Sequence, residues 1–88
     1  MKVIGLGETV YWSRIHHNTG IYEVCELKVR TVYENSFVGV DKDSRQAFII
    51  SYDECDVSVF DDRALAVAVV KEAEKRKKEL TVYTGDDE

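Results

Sequence analysis

The chain has 88 residues, 44% of them hydrophobic and 33% charged, no proline, and a formal net charge of −5. That length allows one domain near the lower limit for folding without staples, and the lack of proline excludes polyproline segments and proline-fixed turns. No run of eighteen apolar residues is present for a membrane span, and "MKVIGLGETV" is too short in apolar residues for a signal peptide, so a cytoplasmic protein is expected.

The strands are read in chain order. "TVYWSRIHH" (9–17) is rich in β-branched and aromatic residues and is followed by the turn "NTG" (18–20). In "IYEVCELKVRTVY" (21–33), Ile21, Cys25, Leu27, Val29 and Tyr33 alternate with Glu26, Lys28 and Arg30. That period of two marks a half-buried antiparallel strand, long enough to bend and serve two sheets. "ENS" (34–36) turns the chain into "FVGV" (37–40), where Gly39 signals a bulge or a close backbone approach. "DKDS" (41–44) is a hairpin loop, "RQAFIIS" (45–51) a fourth strand, "YDECD" (52–56) a turn with 3₁₀ character and "VSVF" (57–60) a short fifth strand.

Asp61 is the expected N-cap of a helix over 61–80, with Asp62 in its first turn where the dipole favours an anion. On a helical wheel Leu65, Ala66, Val69, Val70, Ala73 and Leu80 form one stripe, which is expected to pack on the sheet. Glu72 with Arg76 and Glu74 with Lys78 are i,i+4 pairs in the favourable orientation. Ala64, Val67 and Ala68 fall off the stripe as a second small apolar face, expected to meet a second copy of the chain, as a homodimer, or its target. Residues 81–88 read as a tail that ends in "GDDE". The pattern as a whole is mainly β: a five-stranded, partly open barrel over about residues 5–60 with one C-terminal helix, in a single domain.

The opening "GETVYW" and the junction "VSVFDDRALA" resemble small SH3-like barrel proteins of bacteria and their phages, through Gly7, Glu8, Val10 and Tyr11 in the first strand and Val59, Phe60, Asp61 and Ala66 at the entry to the helix. The resemblance covers about residues 5–74. It implies the SH3-like fold, a mobile-element origin and a place in a bacterial or phage-infected cell, and it brings no site residues with it.

Candidate chemistry is sparse. There is no glycine-rich phosphate loop, no G-x-S-x-G and no HExxH. His16 and His17 are adjacent, so on a strand they face opposite ways, and no metal or other cofactor is expected. Cys25 shares the parity of the core residues and is read with Cys55 as a reduced, buried thiol. The expectation is therefore a non-enzymatic accessory protein that binds another protein. Tyr22 with Tyr11 or Trp12 would form an exposed aromatic surface for a peptide or a methylated lysine, and Ala64, Val67 and Ala68 a helical one. The alternative is a role at nucleic acid. The chain would bind it through Lys28, Arg30, Arg45 and the run Lys75, Arg76, Lys77 and Lys78, or act as an acidic, anti-CRISPR-like inhibitor that occupies a basic channel. The acidic balance suits the inhibitor better than the binder.

Overall fold

All five predicted strand segments contribute strands, and these join in one antiparallel sheet. The computed structural model describes residues 4–86, with the side chains of the helix described as far as Lys77. Strands β1 (Thr9–His16), β2 (Ile21–Val32), β3 (Ser36–Asp41), β4 (Ala47–Ser51) and β5 (Val59–Phe60) lie in the order β4-β3-β2-β1-β5. A 3₁₀ turn at Tyr52–Glu54 links β4 to β5, and the helix α1 (Arg63–Asp86) follows. The sheet is open in its pairing and curled in its shape. Three strand spacings separate β1 from β4, roughly 14 Å in a flat sheet, yet the rings of Trp12 and Phe48 lie 5.0 Å apart.

The curl has a local cause. Val29 pairs with Gly39 and Thr31 with Val38, leaving Arg30 as an extra, unpaired residue in β2. Such a bulge bends its strand and increases the local twist. Opposite it, a Cβ on Gly39 would lie 3.0 Å from both Cβ and Cδ1 of Leu27, so the missing side chain is what admits Leu27 to the core. Val10, Cys25, Leu27, Val29, Phe37, Ile50 and Val59 bury one face of the sheet, closed by Ile4. The bulge also corrects the simple alternation. Parity flips after Arg30, and Tyr33, expected in the core, is 55% exposed.

Helix α1 packs on the other face, against β1, β2 and β5. Ser13 is buried there and its hydroxyl donates to the carbonyl oxygen of Ala66 at 2.8 Å, a bond worth about 0.5–1.5 kcal/mol net. Ala66 is fully buried and Val70 nearly so, while Val67, Val69, Ala73 and Lys77 are half-buried. Leu65, expected at the centre of the packed stripe, is instead 50% exposed. The small side chain of Ala66 lets the helix approach β1 closely, and with Ala66 pointed at the sheet its neighbour, 100° round the wheel, is turned toward solvent.

The ends differ from expectation as well. Arg45 and Asp56 both have φ of +64°, so the fourth strand begins only at Ala47 and the fifth is reduced to Val59–Phe60, with Val57 exposed in a turn. The helical backbone runs past Leu80 to Asp86. Its first turn is capped by Asp62, whose Oδ1 accepts from the Ala64 amide at 2.9 Å, and not by Asp61. The Glu72–Arg76 pair forms at 3.4 Å on the exposed side, whereas Glu74–Lys78 lies outside the described side chains.

Two substitutions test this architecture by thermal or denaturant unfolding. Asp62→Ala should cost about 0.5–2 kcal/mol and Asp61→Ala much less, because only the former removes the acceptor of a helix amide. Equal effects would move the helix start. Gly39→Ala should cost about 1–3 kcal/mol, since neither backbone nor the buried Leu27 can give way cheaply. A neutral result would mean that the approach of Leu27 does not constrain the sheet.

Candidate functional site

Six basic residues precede residue 61: Lys2, Arg14, Lys28, Arg30, Lys42 and Arg45. Four of them, Lys28, Arg30, Lys42 and Arg45, line one groove of about 480 Å³. Its remaining wall is Thr9, Glu26, Leu27, Val29 and Val40. Strand register explains the gathering. Thr9 pairs with Lys28, Lys28 with Val40 and Val40 with Ala47, so these residues form one row across four strands. Lys28 is exposed beside core-facing Leu27 and Val29, which places the row on the face opposite the core. Arg30, two residues on from Lys28 and itself the bulge residue, lines the same groove.

The β3–β4 loop supplies the other two cations. Asp41 organises it: Oδ1 accepts from the amides of Asp43 (2.8 Å) and Ser44 (3.2 Å), and its backbone carbonyl accepts from the Arg45 amide (2.9 Å). Burial opposes ionisation of Asp41, but the two amides, the Cys25 thiol and Arg14 outweigh it and hold the carboxyl below its ordinary range. Arg45 closes the loop in the left-handed region, a conformation that costs a residue with a Cβ on the order of 1 kcal/mol. Lys42 reaches Glu26 at 3.6 Å, an exposed pair that contributes little to stability. Glu26 thus offsets one of four positive charges, and the groove is net cationic in an acidic chain.

The other basic residues read from the sequence lie elsewhere. Lys75 and Arg76 are exposed on α1, and Lys77 Nζ donates to the His17 carbonyl at the β1–β2 hairpin. That hairpin is the far end of β1 from Thr9, so the helical run and the groove are separate surfaces. The side chain of Lys78 lies outside the described residues.

The aromatic surface is not assembled. Trp12 lies on the core face, packed against the core and Phe48, with the Arg14 guanidinium 6.0 Å from the Trp12 ring and 5.3 Å from the Phe48 ring. Tyr11 has the opposite parity and pairs with Phe60 at the sheet edge. Tyr22 lies four rows along the sheet from Tyr11, about 13 Å, where it bonds to His17 Nδ1 at 2.8 Å. Of the helical set, Ala64 and Ala68 are exposed and Val67 is half-buried. Exposed Leu65 widens that apolar face.

Arg14 is the centre of a second polar cluster, at the sheet's core face. Its Nη1 meets Glu23 Oε1 at 3.2 Å, while its buried Nε has no hydrogen-bond partner. Cys25 Sγ lies 3.9 Å from the same Glu23 oxygen. Burial first, then the negative charges of Glu23 and Asp41, push the Cys25 thiol up to about 12. No group of three or more His, Cys, Asp or Glu side chains is placed to hold a metal ion among the described residues. Lys42 is the groove residue that the sequence reading missed: it lies in the β3–β4 loop, where strand alternation says nothing, and only the fold brings it beside Glu26 and the groove.

No family model, curated protein or solved structure matches the chain.

At pH 8 a thiol with a pKa of about 12 is ionised in roughly one molecule in ten thousand. Cys25 should therefore resist maleimide in native buffer and react in denaturant, while the half-buried Cys55 reacts first. Rapid native labelling of Cys25, resolved by mass spectrometry of its peptide, would contradict that burial.

Proposed function

We propose that the chain is a non-enzymatic accessory protein that binds a protein partner, built on an SH3-like, partly open barrel and encoded by a phage or other mobile element. The strand order β4-β3-β2-β1-β5, the bulged β2 and the 3₁₀ turn before β5 support the barrel reading. No described helix is long and apolar enough to cross a membrane. The observation that carries the binding reading is the groove: Lys28, Arg30, Lys42 and Arg45 gather on the face opposite the core, beside the half-buried Val40. The partner's contact is then anionic at the groove, and a second copy would meet at Ala64, Leu65 and Ala68.

One observation favours a second reading. Asp53, Glu54, Asp56, Asp61 and Asp62 put five carboxylates into ten residues with no cation between them. Such a surface suits an anti-CRISPR-like inhibitor that occupies the basic channel of a nucleic-acid-binding complex.

The two readings part in an affinity capture from nuclease-treated bacterial lysate, using wild-type and Lys28→Glu/Arg30→Glu baits. The groove reading expects a protein retained by the wild type and lost by the charge-reversed bait. Retention by both baits, lost instead on neutralising the 53–62 carboxylates to amides, is the inhibitor's result. Material captured only when the nuclease is omitted would leave neither standing.

A further inference from the structure

Resting on the reading of the groove as the binding surface, we infer that its occupant is a short acidic segment of a partner protein that also carries an apolar side chain. Three features of the face select this chemistry. The first is spacing. Lys28 and Arg30 are two residues apart on β2, the second at the bulge, and both line the groove, while an extended peptide repeats same-side side chains about every 6.6 Å. Alternate carboxylates on such a segment meet successive cations, with Arg45 and Lys42 at the loop end of the row.

The second feature is the apolar margin. Val38 and Val40 share one side of β3, and Val38 pairs with Ile49 of β4. Phe48 and Ile50 on either side of Ile49 pack into the core, so Ile49 points away from it and is 75% exposed beside the cationic row. α1 packs mainly on β1, β2 and β5; Val38 is itself buried, and Ile49 is the exposed apolar side chain of this half of the face. A nucleic acid strand uses aromatic platforms for its bases, and no residue lining the groove is aromatic. A peptide with carboxylates and one apolar anchor uses both parts of the surface.

The third feature is Arg45. Its φ of +64° is a conformation that glycine adopts freely and arginine at a cost. Stability alone would place glycine there, and arginine instead puts a guanidinium at the mouth of the groove.

The test is fluorescence anisotropy with labelled probes of matched length: a Glu-rich peptide with interspersed leucines, oligoglutamate, and oligo-dT. The Glu/Leu peptide should bind more tightly than either other probe. Lys28→Glu/Arg30→Glu should weaken it by about tenfold or more, and Ile49→Ser by several-fold. Arg45→Gly should weaken it while keeping the melting temperature at or above that of the wild type, a split that a merely structural role would not give. Oligo-dT binding as tightly as the peptide, or Ile49→Ser leaving peptide affinity unchanged, overturns the inference. So does a salt-sensitive dimer in sedimentation that the charge reversal abolishes, because it places a second copy in the groove. If the peptide fails while nuclease-resistant protein capture persists, the occupant is wrong and the protein-binding reading stands.

Discussion

The close approach of Leu27 to Gly39, with the bulge at Arg30 beside it, sets the shape on which the other features depend. Without the bulge, β2 would run straight and Trp12 could not reach Phe48 across two intervening strands. Without a glycine at 39, the curl would force a Cβ into the core's fully buried leucine. The same extra residue reverses side-chain parity along the end of β2. It sends Tyr33 outward. The curl of the sheet and the outward turn of Tyr33 are therefore consequences of one irregularity in one strand.

The sheet's second face is divided in two. Ser13 and Ala66 fix α1 over β1, β2 and β5, where a buried hydroxyl meets a helix carbonyl. A serine at that position trades apolar area for a directional contact, and it holds the helix at one rotation about its axis. That rotation decides which apolar residues are spent on the sheet. Ala66 and Val70 are, and Leu65, Ala64 and Ala68 are not. Over β3 and β4 Val38 is buried and Ile49 is exposed, and the cations of β2 and the β3–β4 loop gather beside Val40.

Much of this was legible in the residues. Alternation in 21–29 placed Cys25, Leu27 and Val29 in the core, Gly39 announced a close approach, and Asp61–Asp62 announced a helix start. What failed did so for identifiable reasons. Period-two counting cannot see a bulge, so Tyr33 was placed on the wrong face. A helical wheel gives the width of an apolar stripe but not its rotation, which a single hydrogen bond at Ser13 decided against Leu65. The aromatic surface required Tyr11 or Trp12 beside Tyr22, and register puts Trp12 on the core face and Tyr11 at the far end of the strand pair. Lys28, Arg30 and Arg45 could be suspected as a set from charge alone; that Lys42 joins them, and Lys75 to Lys77 do not, depends on which strands are neighbours.

The electrostatics of the whole chain bear on what the groove can hold. It carries three net positive charges in a protein of net −5, so the remaining surface carries eight net negative. At physiological ionic strength such fields fade over about 8 Å, a distance shorter than the groove's neighbourhood of loops. A long polyanion that touched Lys28 and Arg30 would meet a chain whose remaining charge is negative on balance, while carrying charge every few ångströms along its own length. A short segment escapes that repulsion because it ends where the cations end. Under the proposed reading, an acidic remainder of that size would penalise an extended nucleic acid more than a peptide of a few residues. In the proposed contact the charges would attract only weakly at long range, and an apolar contact at the exposed Ile49 would supply the part of the affinity that salt does not screen.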